Sequence, residues 1–179
     1  VSVDSAGAQS NGNSSDPSIS GDGRYVAFYS FASNLVAGDN NGTWDIFVHD
    51  TVTGTTALVS VDTAGVQANT NSNSPSVSGD GRYVAFYSSA SNLVADDTNN
   101  SLDIFVRDTV VGTTIRVSLE TLGVEGNSNS MRPSLSADGR YVAFDTRATN
   151  LVPNDVNGDA EDIVIRALPE VTVSSVTPD

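Results

Sequence analysis

Cysteine and lysine are both absent from the 179 residues, and histidine, tryptophan and methionine occur once each. Without cysteine there is no disulfide staple and no thiolate metal site. Eight arginines carry all the positive side-chain charge against 22 acids, a net charge of −14. A surface of that sign repels phosphate backbones and anionic lipid. It argues against nucleic-acid and membrane-inserted partners and for cations or basic protein surfaces. No run reaches the roughly 18 apolar residues of a membrane span. No stretch keeps a 3.6-residue apolar period, so helices are expected to be nearly absent. Together with the abundance of Ser, Thr, Asn and Gly, this composition fits a bacterial secreted, cell-surface or periplasmic protein.

What the chain does contain is a sentence written three times. Ser20-Gly21-Asp22-Gly23-Arg24-Tyr25-Val26-Ala27-Phe28-Tyr29 recurs without change from Ser78 to Tyr87. It returns as Ser136-Ala137-Asp138-Gly139-Arg140-Tyr141-Val142-Ala143-Phe144-Asp145, the copies standing 58 residues apart. A fixed period of this size marks a repeat architecture. The repeats fall at 1–58, 59–116 and 117–168, and 169–179 is a tail. Val1-Ser2-Val3-Asp4 matches Val59-Ser60-Val61-Asp62. The chain therefore opens inside a repeat with no visible signal peptide, as expected if a leader has been removed or a longer protein surrounds it.

Each repeat reads as short strands joined by turns. In the first, Val1 to Val3 is a short strand and Asp4 to Asp16 a polar loop. Pro17 to Ser20 starts the next strand, with proline at the first position where its missing N–H is harmless. Asp22-Gly23 is a hairpin turn. Tyr25 to Ser30 is apolar on both faces, as a strand between two layers must be. Asp45 to Asp50 and Thr55 to Val61 complete the set. The second copy places strands at 75–78, 82–88, 103–108 and 113–119. The third places them at 133–136, 140–146 and 162–167, with 171–176 as a fourth. The expected fold is all-β, an array of three four-stranded antiparallel blades of the propeller type.

These residues carry a resemblance. The core Ser-x-Asp-Gly-Arg-Tyr-Val-Ala-Phe has Pro-Ser shortly upstream and Asp-Ile-Phe-Val-x-Asp about twenty residues downstream. It resembles the TolB-type, WD-like β-propeller repeats of bacterial periplasmic and secreted proteins, over essentially all of 1–168. The resemblance implies a binding platform, or a non-catalytic module beside an enzyme domain. Such proteins usually supply a full ring, and three blades do not close one. The expectation is an array that is completed by a second copy, assembles further, or belongs to a longer chain. The tail from Pro169 to Pro178 resembles the opening strand of Ig-like TIG domains and reads equally as a shortened fourth strand.

Acidic loops before each third strand are the candidate sites. They hold Asp39, Asn41 and Asp45 in the first repeat, Asp97, Asn99 and Asp103 in the second, and Asp155, Asn157, Asp159 and Asp162 in the third. Alternating oxygen-bearing side chains on a tight loop can wrap calcium, a hard cation that takes six to eight oxygens. The loops lack the glycine and glutamate positions of an EF-hand. The same residues form Asx turns with no metal at all.

Catalytic arrangements find little support. His49, the sole histidine, stands where the other repeats have Arg107 and Arg166. No nucleophile elbow or phosphate-binding glycine loop appears. Arg24, Arg82 and Arg140 are positioned for bidentate pairs with acids of the same or the next blade. Trp44, Tyr29, Tyr87 and Phe31 could face a sugar, but Trp44 aligns with Leu102 and Ala160, which favours packing. The reading is a non-catalytic structural or interaction module outside the cytoplasm, with protein partners or self-association and calcium in its loops. The rivals are the propeller portion of a secreted hydrolase or peptidase, and a carbohydrate-binding propeller.

Overall fold

The computed structural model describes residues 1–158 and 160–169. Eleven strands lie there, and no helix. They form three antiparallel sheets in chain order. The first holds β1 (Ser14–Ile19), β2 (Tyr25–Ser30), β3 (Asp45–Asp50) and β4 (Thr56–Leu58). The second holds β5 (Ser72–Val77), β6 (Tyr83–Ser88), β7 (Asp103–Asp108) and β8 (Thr113–Arg116). In the third, β9 (Ser130–Leu135), β10 (Tyr141–Thr146) and β11 (Asp162–Ala167) are the described strands. The fourth strand expected at 171–176 lies outside the described residues, as does the proposed start of an Ig-like domain.

The repeated sentence makes the first hairpin of each blade. Ser20 Oγ donates to Asp22 Oδ1 at 2.6 Å and accepts from Tyr25 N–H at 2.9 Å, while Arg24 N–H donates to Asp22 Oδ1 at 3.0 Å. Gly23 takes φ 76° in the turn. Arg24 then reaches across its own blade to Asp50, at 3.0 and 2.7 Å from the two carboxylate oxygens. Arg82 repeats this with Asp108. In the third blade the residue opposite Tyr141 is Ala167, where the first two blades place Asp50 and Asp108. Those acids also accept the N–H groups of the next turn, Val52 and Thr53 or Val110 and Val111.

Three boundaries differ from expectation. The inner strands begin three residues before Pro17, Pro75 and Pro133, and the prolines sit within them. The ladder slips between Ser15 and Ser18, and between Asn73 and Ser76. A bulge leaves a residue unpaired, so proline's missing N–H costs no ladder bond there. The residues before these prolines, Asp16, Ser74 and Arg132, take φ of 56°, 48° and 51°. Val1 to Val3 is no strand: Val3 forms a single bridge to Gln9, repeated by Val61 with Gln67 and Leu119 with Glu125. The fourth strands are also shorter than the pattern implied, ending at Leu58 and Arg116.

The second blade buries both faces. Ala27, Ile46 and Val48 of the first pack against Val77, Val84, Phe86 and Phe105 of the second. The second turns Ala85, Ile104 and Val106 toward Val142, Phe144 and Val164 of the third. This is why the repeated strands are apolar at successive positions. The far face of the first blade is covered by its own loop, Ala32 and Leu35 packing on Phe28 and Phe47.

Candidate functional site

The first two acidic loops lie at blade junctions, each facing the segment that leads into the next blade. In the first loop Asp45 is fully buried at the start of β3. Ser60 Oγ donates to its Oδ1 at 2.6 Å. The Gln67 amide donates to Asp45 Oδ2 at 3.1 Å and to Asp39 Oδ1 at 2.8 Å. Asn41 Nδ2 donates to Ala68 O at 3.0 Å, and Asn41 Oδ1 accepts from Thr43 N–H at 3.0 Å. Trp44 N–H donates to Asn71 Oδ1 at 3.0 Å. Residues 39–45 are thus stitched to residues 60–71. The Gln67 amide sits between the two carboxylates.

The second loop has the same frame with charged parts. Ser118 Oγ bonds Asp103 Oδ1, and Asn99 Nδ2 donates to Gly126 O at 3.0 Å and to Asp103 Oδ2 at 2.9 Å. Arg116, at the end of β8, enters the space between the acids. Its Nη1 lies 2.6 Å from Glu125, 3.1 Å from Asp97 and 3.6 Å from Asp103. Glu125 also accepts from the Thr98 N–H and hydroxyl at 2.8 Å each. Strand pairing makes Arg116 the counterpart of Leu58, since they oppose Phe105 and Phe47. Glu125 is likewise the counterpart of Gln67, because both form the bridge after the fourth strand. Where one junction carries Leu and Gln, the next carries Arg and Glu.

In the third loop Asp155 Oδ1 accepts from Asn157 N–H at 2.9 Å, and Asn157 Nδ2 reaches Asp162 Oδ1 at 3.3 Å. Asp155 and Asp162 are half-buried and Asn157 is exposed. Asp159 lies outside the described residues. This loop has one extra residue. Thr146 pairs with Asp162 as Ser30 does with Asp45 and Ser88 with Asp103. The counterpart of Trp44 and Leu102 is therefore Glu161, not Ala160.

These environments shift the acids. Burial pushes the Asp45 carboxyl up to about 6, against the Ser60 and Asn41 bonds, which pull it down. Asp97 is likewise pushed up to about 6, by burial first and then by the neighbouring Asp103 charge, with Arg116 opposing. Burial also raises Asp103, against its Ser118 bond. The bond from Arg24 holds Asp50 well below the ordinary carboxylate range. A carboxyl that binds its proton more tightly folded than unfolded gains stability from acid. For Asp45 and Asp97 that gain accrues as pH falls from about 6 toward the unfolded value of 3.8. It amounts to roughly 1–2 kcal/mol per group once residual hydration is allowed for. Asp50 works in the opposite sense, its contribution being lost as pH falls below the ordinary range. The expected melting temperature therefore rises from pH 7 to about pH 5 and falls below about pH 4. Melts across that range check it, and a monotonic fall from pH 7 contradicts it.

The other candidates resolve as packing. His49 is buried, its Nδ1 lying 2.8 Å from Thr56 Oγ1, which donates to Val3 O. Arg107 makes the same contact, Nη1 donating to Thr114 Oγ1 at 3.0 Å while that hydroxyl donates to Val61 O. The correspondence assigns the Nδ1 proton to His49. Burial lowers its pKa, which keeps the ring neutral near pH 7. Trp44 packs edge-on against Tyr29 with ring centres 5.0 Å apart and is tilted to Phe31 at 5.6 Å. Gln67, Arg116 and Glu125 are the residues that sequence reasoning missed. The exchange of Leu58 and Gln67 for Arg116 and Glu125 between aligned repeats was the signal available.

Among the described residues, no group of three or more acids or histidines is arranged to hold a metal ion. Calcium wants oxygen ligands, whereas the space between the acids takes an amide nitrogen in the first loop and a guanidinium in the second. Those two sets do not fit the cation as they stand.

No family model and no curated protein matches the chain. Solved structures do. TolB from Acinetobacter baumannii is 21% identical with a TM-score of 0.51, covering 88% of this chain and 30% of its own. A putative TolB from Agrobacterium tumefaciens is 17% identical with a TM-score of 0.50, covering 88% of this chain and 60% of its own. A prolyl endopeptidase structure reaches a TM-score of 0.54 at 17% identity, covering 89% of this chain and 21% of its own. The chain thus spans less than two thirds of each. Its fold is that of a TolB-like propeller, present here as an unclosed array.

Proposed function

We propose that this array is a non-catalytic binding module working outside the cytoplasm, with acidic loops that join blade to blade. The observation that carries the reading is the occupation, among the described residues, of every acid whose pKa is raised. Asp45 is engaged by Ser60 and Gln67, Asp103 by Ser118 and Asn99, and Asp97 by Arg116. A general acid or base must be able to reach a substrate proton, and these groups are spent on the scaffold. The excess of acid, with neither lysine nor cysteine, supports a secreted or surface setting and a partner with basic or neutral contacts.

Two measurements test this. Incubation with a peptide library and a fluorophosphonate probe should give neither cleavage nor label. Turnover that disappears in Asp45→Asn would overturn the reading. Thermal melts in millimolar calcium and in EDTA should coincide, because the first two loops are closed by protein donors. A calcium-dependent rise would instead place a cation at the third loop, with Asp155, Asn157 and Asp162.

A further inference from the structure

The two ends of the array carry opposite halves of one interface. Within the chain that interface occurs twice, and its parts are the same each time. A ring from one blade covers the hairpin glycine of the next: a Cβ on Gly81 would lie 2.0 Å from the Tyr25 ring, and one on Gly139 would lie 2.6 Å from Tyr83. A serine of the earlier inner strand accepts an N–H from the later one, Val77 N–H to Ser18 Oγ at 3.1 Å and Leu135 N–H to Ser76 Oγ at 2.9 Å. Apolar residues of the earlier third strand, Ile46 and Val48 or Ile104 and Val106, are buried against the later blade.

At the third blade the giving half stands open among the described residues. Ile163 is 77% exposed and Ile165 is 62% exposed, at the positions of Ile104 and Val106. Tyr141 is exposed where Tyr25 and Tyr83 are half-covered. At the first blade the receiving half stands open. A Cβ on Gly23 would meet nothing within 4 Å. Ile19, the counterpart of buried Val77, is 62% exposed.

The ends also differ in side chain at another position where neighbouring inner strands touch. Inside the chain Ser74 Oγ donates to Asp16 Oδ2 at 3.0 Å across that contact. The same position on the third blade is Arg132, which pairs with Asp145 at 2.8 Å and with Glu161 at 2.7 Å. Continuing the array would set Arg132 beside Asp16 of the following blade, a pairing of opposite charges.

We propose that a second copy of this chain docks head to tail, the third blade of one copy packing on the first blade of the other. Tyr141 then lies on Gly23, Ile163 and Ile165 cover Ile19 and its surroundings, and Arg132 faces Asp16. The contact is heterologous: it closes a ring if the rotation between copies allows and otherwise extends. This surface deepens the binding-module reading, yet its test stands apart, because self-association is measured without reference to catalysis or calcium.

Analytical ultracentrifugation at physiological salt screens the mutual repulsion of two acidic chains beyond about 8 Å. The wild-type chain is expected to associate with a micromolar Kd. Ile19→Asp and Ile163→Asp alter exposed positions at opposite ends, and each is expected to be monomeric while keeping the wild-type circular dichroism spectrum. An equimolar mixture of the two retains one intact junction and is expected to form a one-to-one dimer. Gly23→Ala is expected to weaken wild-type association by about tenfold or more. A wild-type chain that stays monomeric up to roughly 100 µM, far above a micromolar Kd, overturns the proposal. So does association that survives in either single variant alone, since that would mean like faces pair with each other.

Discussion

Replacing Arg116 with leucine is expected to destabilise the protein by ~3 kcal/mol at pH 7, a fall of roughly 10 °C in melting temperature. Among the described residues the Arg116 guanidinium is the one cation paired with Asp97, Asp103 and Glu125, and its side chain is 6% exposed. Removing one partner of a buried ionic group leaves the others uncompensated in a medium that solvates them poorly. The loss should shrink at pH 5, where carboxyls already pushed upward take a proton. Urea denaturation at the two pH values measures both effects. A loss below about 0.5 kcal/mol would mean that Arg116 behaves as a surface ion pair.

The second large effect is expected at Gly81. Alanine there must adopt φ 76°, and its Cβ would fall 2.0 Å from the Tyr25 ring. Left-handed backbone costs an alanine about 1–2 kcal/mol, and displacing a packed ring adds about 1–3 kcal/mol. Gly23 offers the control, since it has the same φ of 76° with open space around it. Gly81→Ala should therefore cost about 3 kcal/mol and Gly23→Ala about 1 kcal/mol. The difference, read from chemical denaturation below the association threshold, is the contribution of one tyrosine lid between blades. Equal losses would show that only backbone strain was being measured.

The hairpin was legible because its logic is local. In Ser20-x-Asp22-Gly23-Arg24-Tyr25 the serine and aspartate bond backbone groups within five residues, and glycine supplies the left-handed turn. The arginine pairing was legible in kind, and the register shows its partner to be Asp50 or Asp108 of the same blade. The bulges were not legible. A residue before proline prefers extended backbone, so nothing local announces that Asp16, Ser74 and Arg132 will turn left-handed with the strand continuing beyond them. The shortened fourth strands escaped for a related reason: Val59 still bonds Ile46, so the β-branched pattern outlasts the regular ladder.

At the acidic loops the residues were found and their partners were not. Asp39 meets Gln67 across 28 residues and Arg116 meets Asp97 across 19, spans over which turn and strand patterns carry no information. Acids spaced for a cation look alike whether the positive group arrives from solvent or from the chain itself. The extra residue in the third loop moved Glu161 into the place assigned to Ala160, so a constant period misaligned one position. That position matters, because Glu161 bonds Arg132 and Arg147 at the end of the array where the earlier blades carry Trp44 and Leu102.

Protein donors, rather than a metal, are expected to close the acidic loops between the first two pairs of blades. The measurement that tests it most directly is the stability of the double variant Arg116→Leu with Glu125→Gln, determined beside each single variant in EDTA and in calcium. The double variant gives the second junction the residues of the first, Leu58 and Gln67. The predicted result is recovery of at least about half of the loss in Arg116→Leu, a coupling of roughly 1–2 kcal/mol, with no response to calcium. Additive losses, or stability restored by calcium alone, would contradict it.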